Sequence, residues 1–141
     1  MRKSSKNWFW NIVIVLTVLV SIAAFVLHYK NWSKFEDGHF QVVSGIYKEK
    51  IVLSDIDSVG FVEKLPQMER TNGFSWLARE KGVFKDSITA SKVYVFVDDL
   101  RQQKIRLVYN DSLKLYINFS DSLQTNKVYE NIKEALKDGD E

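Results

Sequence analysis

The chain contains no cysteine, which excludes disulfides, thiolate zinc sites, cysteine nucleophiles and lipid attachment at a cysteine. Histidine is nearly as scarce. His28 borders an apolar run and His39 opens the polar part of the chain, so neither a paired-histidine metal site nor a Ser/His/Asp triad is available. No glycine-rich phosphate cradle and no nucleophile elbow occurs. The acidic pairs Asp55/Asp57 and Asp98/Asp99 lack the dense oxygen-ligand spacing of a calcium loop and read as solvated turns. The expectation is a non-enzymatic protein with no cofactor and no metal. With one proline, Pro66, and no repeat or low-complexity tract, nothing suggests a second domain.

Charge of both signs is present but unevenly divided. Four of the 20 basic residues, Arg2, Lys3, Lys6 and Lys30, lie in the first thirty positions, which hold no acid; the remaining sixteen face all 18 acids, leaving the rest of the chain at −2. A domain of that charge would repel phosphate, and its aromatics Tyr94, Phe96, Tyr109 and Tyr116 fit strand packing, which argues against nucleic-acid binding. Asn31, Asn110 and Asn118 each begin an Asn-x-Ser triplet, which matters only in a glycosylating compartment.

The strongest positive signal is WFWNIVIVLTVLVSIAAFVL, Trp8 to Leu27, which carries no charge. Twenty helical residues span about 30 Å, one hydrocarbon core. Trp8 and Trp10 at one edge and Tyr29 and Trp32 at the other match the aromatic belts of the two membrane interfaces. Residues 8–29 are therefore expected to span a membrane, with 1–7 as a basic flank. A cleaved signal peptide, with Ser21 and Ala23 as a small-x-small site, is the alternative; the apolar run exceeds the usual signal length of about 7–15 residues. Basic residues are denser before the helix than after it, which places the amino terminus in the cytoplasm and the domain outside the membrane it spans.

Residues 30–37 are short and polar and read as a juxtamembrane connector, with the domain over 38–138 and an acidic tail at 139–141. Within the domain, SLKLYINF puts Leu113, Leu115, Ile117 and Phe119 on one face, as in a half-buried strand. KIRLVY precedes it, and Asn110 and Asp111 between them suit a tight hairpin turn. KVYVFV, Lys92 to Val97, is apolar on both faces, as expected of a central strand. Phe40–Ile46, Lys50–Leu53, Val59–Glu63 and Gly82–Phe84 complete about seven strands. From about 121 to 138 the period becomes helical: Leu123, Val128, Ile132, Ala135 and Leu136 share a face, Asp121 with Gln124 forms a capping-box pattern, and Gly139 follows the last turn.

Seven strands and a terminal amphipathic helix form the plan of a pleckstrin-homology-like domain. The segments LSDIDSV (Leu53–Val59), LP (Leu65, Pro66), RTNGF (Arg70–Phe74), KGVF (Lys81–Phe84) and YINFSD (Tyr116–Asp121) resemble the bacterial branch of that family in order. The resemblance covers residues 38–137. It departs at Lys48, where the family often has glycine, and at Trp76 and Leu77, where it is usually glycine-rich. It implies an α+β, mainly β fold: a seven-stranded sandwich or open barrel capped by a helix, beside a membrane span in a bacterial cytoplasmic membrane, without enzymatic activity.

The least ordinary stretch is RTNGFSWLAREKGVFK, Arg70 to Lys85. Asn72 and Gly73 suit a chain reversal. Arg70 is placed to tie this loop to exposed carbonyls or to Asp55 or Asp57. Phe74, Trp76 and Leu77 either fold inward as a lid or stay outward as anchors for a partner or lipid. The basic residues Arg70, Arg79, Lys81 and Lys85, with Lys64, are interleaved with Glu63, Glu69, Glu80 and Asp86 and are largely self-neutralising. The candidate binding loop comprises Arg70, Thr71, Asn72, Gly73, Phe74, Trp76, Lys81 and Gly82. The expected role is a membrane-anchored module that binds a protein partner or its own kind; the alternative is a sensor for a lipid headgroup or small ligand at Arg70–Trp76.

Overall fold

The computed structural model describes residues 5–139. Arg2 and Lys3 of the basic flank and Asp140 and Glu141 of the acidic tail lie outside them, as do the side chains of Lys6, Leu27 and His28.

Helix α1, Ser5–Tyr29, is largely apolar, its described side chains are mostly exposed, and its segment Asn7–Val26 is long and apolar enough to cross a membrane. Thr17 and Ser21 donate their hydroxyls to the carbonyls four residues earlier, each at 2.8 Å, which satisfies both donors within the helix.

The described residues then form nine strands, not the seven expected. A three-stranded antiparallel sheet contains β1 (Asn31–Glu36), β2 (His39–Ser44) and β3 (Tyr47–Val52). A short 3-10 turn, Leu53–Asp55, leads to a six-stranded sheet of β4 (Ile56–Val62), β5 (Met68–Trp76), β6 (Arg79–Asp86), β7 (Lys92–Val97), β8 (Lys104–Tyr109) and β9 (Leu113–Asn118), in the order β4-β8-β9-β7-β6-β5. All its pairs are antiparallel except β7 with β9, which run parallel. Helix α2, Ser122–Asp138, closes the chain.

The two additional strands correct the sequence reading. Residues 30–37 are no connector: Asp37 and Gly38 adopt positive φ and join Glu36 to His39 in a two-residue turn, the Asp-Gly hairpin signal in full. The other is β5, made from the stretch expected to be an elaborate loop. Asn72–Gly73 is not its reversal. Gly73 pairs with Gly82 across β5 and β6, next to a bulge between Arg70 and Asn72, and the chain turns at Leu77–Ala78. The two glycines are there because the strands approach closely: a Cβ on Gly73 would stand 2.7 Å from Gly82 Cα.

The core lies between the sheets and under α2. Phe40, Val42 and Ile51 from the small sheet meet Phe96, Ile105, Leu107, Leu115 and Ile117 from the large one, with Val128 and Ile132 of α2. Val93, Val95, Val97, Phe84 and Tyr116 form a second cluster on the opposite face of the large sheet, covered by Leu65 and Met68. β7 is thus buried on both faces, as its unbroken apolar pattern requires. Asp121 caps α2 by accepting from Leu123 N at 2.9 Å. Leu123 itself points to solvent, and Thr125 takes the buried place, receiving Phe119 N at 3.0 Å.

Candidate functional site

Where α1 meets the domain, the chain buries polar groups rather than apolar ones. The last carbonyls of a helix lack partners within it and carry the negative end of its dipole. Tyr29, the final residue of α1, has its carbonyl bound by Arg79 Nε at 3.1 Å and Lys81 Nζ at 3.2 Å. Both cations come from β6, two residues apart and so on one face of the strand. The Arg79 guanidinium also lies over the Tyr29 ring, 3.4 Å from its centroid.

Lys81 is wholly buried, and its ammonium meets Asp98 Oδ1 at 2.9 Å and Asn31 Oδ1 at 3.0 Å. Asp98, read from the sequence as a solvated turn residue, is buried too, and its other oxygen accepts Asn31 N at 3.0 Å. The Asn31 amide donates to Phe96 O at 2.6 Å and Asn118 O at 2.8 Å and accepts from Ser44 Oγ. Asn118 completes the knot by accepting Asp98 N and Asp99 N and donating to Asp99 O and Gln103 O. Asn31 and Asn118 therefore spend their side chains inside the fold, which removes two of the three Asn-x-Ser triplets as surface acceptors. Burial pulls the Lys81 pKa below the ordinary lysine value, against the opposing charge of Asp98. Desolvation is thus the largest influence on this lysine, and the ion pair with Asp98 offsets only part of the cost of burying its charge.

Beside this knot the tip of the β5–β6 hairpin lies along α1. Phe74 stands opposite Lys81 and Trp76 opposite Arg79. With Phe25, Tyr29 and Arg79 these two aromatics line a small, almost purely apolar recess of about 150 Å³. Trp76 meets Phe25 edge to face with centroids 6.4 Å apart. Of the two orientations open in the sequence, the structure has the outward one: Trp76 is 58% and Leu77 81% exposed.

The remaining candidate residues separate from this cluster. Arg70 lies on the other face of β5, bound to Ser75 and to Glu80, with Glu80 Oε1 at 3.0 Å. It does not reach Asp55 or Asp57; Asp57 instead accepts Asp111 N at 2.9 Å. Thr71 falls at the bulge, Asn72 accepts from the Tyr47 hydroxyl at 3.1 Å, and Gly73 and Gly82 are the close-approach pair. Trp8 and Trp10 are exposed near the far end of α1, and Trp32 is half exposed on β1. Sequence reasoning missed Asn31, Asp98 and Asn118. The available signal was the Asp-Gly turn, which makes Asn31 the start of a strand instead of part of a tether.

Near Arg70 an open cleft of about 480 Å³ is lined by residues including Leu65, Pro66, Met68, Glu80 and Phe84. Among the described residues, no group of three or more acidic or histidine side chains is gathered closely enough to hold a metal ion. Comparison of the chain with family models, curated proteins and solved structures gives no match.

Proposed function

We propose that the chain is a single-pass, membrane-anchored, non-enzymatic interaction or assembly module of a bacterial cytoplasmic membrane, with its amino terminus cytoplasmic and its β-domain on the other side. The observation that carries this reading is β5: nine residues long, at the edge of the six-stranded sheet, and held beside the helix terminus by the buried knot. An edge strand presents unpaired N–H and C=O groups to which an extended segment can add. A domain clamped to its span presents that edge in one orientation relative to the helix, which suits an assembly contact. The pleckstrin-homology-like resemblance belongs to the same proposal. It is supported by two packed sheets with a terminal helix; the parallel β7–β9 pair is a feature it does not account for.

A sensor for a small ligand has the cleft near Arg70 in its favour. Against an anionic ligand, Glu80 already occupies Arg70 and Asp98 already occupies Lys81. A photo-crosslinking residue at Thr71, on the β5 edge, should give one discrete adduct in native membranes, while the same residue at Glu134, exposed on α2 over the β4–β8 side of the sheet, gives none. The adduct mass distinguishes a second copy from another protein. Absence of any adduct from Thr71 and from neighbouring edge positions, together with a small molecule or lipid copurifying with the full-length protein, contradicts the assembly reading in favour of the sensor.

A further inference from the structure

We propose that the tip of the β5–β6 hairpin is a second membrane contact, with Phe74, Trp76 and Leu77 seated in the lipid interface beside the domain-side end of α1. The inference rests on the reading that α1 spans the bilayer.

Depth is the first argument. Phe25 lies one helical turn inside Tyr29, about 6 Å along the axis, and within the segment apolar enough to cross a membrane. Trp76 packs against Phe25, so wherever Phe25 meets lipid the indole lies at the same level. Tryptophan favours that level because its ring is apolar and its N–H remains near water.

The backbone supplies a second argument. Leu77 forms the hairpin turn with φ 53, a left-handed conformation that is unfavourable for a residue with a side chain. In water this tip would combine strain with an apolar side chain left exposed, where asparagine or glycine would serve better. Facing acyl chains, the leucine has a solvent that suits it.

The distribution of apolar side chains supplies the third. Ile46, 77% exposed, forms the turn after Ser44, which bonds Asn31; Leu123 follows Ser120, which receives Arg79 Nη2 at 3.4 Å. Both therefore flank the end of the domain where the helix joins. Arg79 completes the arrangement in the manner of a snorkelling cation, its guanidinium lying on the Tyr29 ring while it binds the helix carbonyl. Two attachment points, a span and a hairpin tip, fix both the height and the tilt of the domain, which a single helix does not.

The absence of native cysteine makes the test clean. Full-length Leu77→Cys, Ile88→Cys and Leu16→Cys would each carry an environment-sensitive nitrobenzoxadiazole probe in vesicles of phosphatidylcholine and phosphatidylglycerol. Leu16 reports whether α1 is in the bilayer at all. The expected result is a blue-shifted probe at Leu77, quenched severalfold more by headgroup-proximal spin-labelled lipid than the probe at Ile88. A lipid-buried probe at Leu16 with Leu77 as water-exposed as Ile88 overturns the inference and leaves the span intact; a water-exposed probe at Leu16 overturns the span and the inference with it. A Phe74→Cys probe gives the same reading should the Leu77 variant alter the turn.

Discussion

At the residue scale the most consequential side chain is Lys81, because one ammonium serves both the carboxylate of Asp98 and the carbonyl that ends α1. Lys81→Met removes the cation and leaves Asp98 buried without its charge partner, which costs about 3–5 kcal/mol of stability. Adding Asp98→Asn removes the stranded charge, so the double variant should unfold at a lower denaturant concentration than wild type but a higher one than Lys81→Met. A double variant no more stable than the single one contradicts the pairing. Glu49 shows the opposite economy. Burial raises its pKa above the ordinary value of 4.5, despite the hydroxyls of Tyr94 and Tyr109. A carboxyl raised in the folded state binds its proton more tightly there than in the unfolded chain, so its contribution to stability is full below pH 4.5 and declines as pH rises through the folded pKa. Glu49→Gln should therefore raise the Tm at neutral pH, with the advantage vanishing below about pH 4.5; an advantage independent of pH contradicts this account.

At the element scale the β5–β6 hairpin is the least ordinary piece, and its glycine pair is its structural condition. Gly73→Ala would bring a Cβ against the backbone of Lys81 and Gly82 at a φ of 144°. The expected loss is about 2 kcal/mol or more, read as a lower midpoint in chemical denaturation, and an unchanged midpoint contradicts the close-approach reading. This hairpin also shows where sequence reasoning reached its limit. Strands with clean alternation or unbroken apolar runs were legible, β7 and β8 with their exact bounds and β9 to within one residue at each end, because burial on one or both faces imposes those patterns. The left-handed Asn110–Asp111 turn and the cap of α2 were legible for the same local reason. β5 was not, because an exposed edge strand has no buried face to impose a pattern, and its glycines mark a cross-strand contact that no local rule reveals. The polar knot was illegible in another way: Asn31, Lys81, Asp98 and Asn118 come from four separate strands or strand ends, and only the pairing of the sheets brings them together.

At the scale of the whole molecule, a single apolar helix and a β-domain are joined without slack. Helix and domain share a hydrogen-bonded network through Tyr29 and the buried Asn31, Lys81 and Asp98, and the hairpin tip braces the helix one turn further along through Trp76 and Phe25. A flexible tether would leave the domain free to reorient about the helix end; this junction instead ties β6 and the hairpin tip to α1 through the Tyr29 carbonyl and Phe25. That difference separates a module displayed for assembly from one merely kept near the surface. The most direct test is the distance distribution between nitroxide spin labels at Leu19→Cys in α1 and Ile88→Cys in the domain, measured by pulsed electron paramagnetic resonance on full-length protein in lipid nanodiscs. The account predicts one narrow distribution that broadens when Lys81→Met is added; a distribution already broad in the protein with Lys81 intact would contradict it.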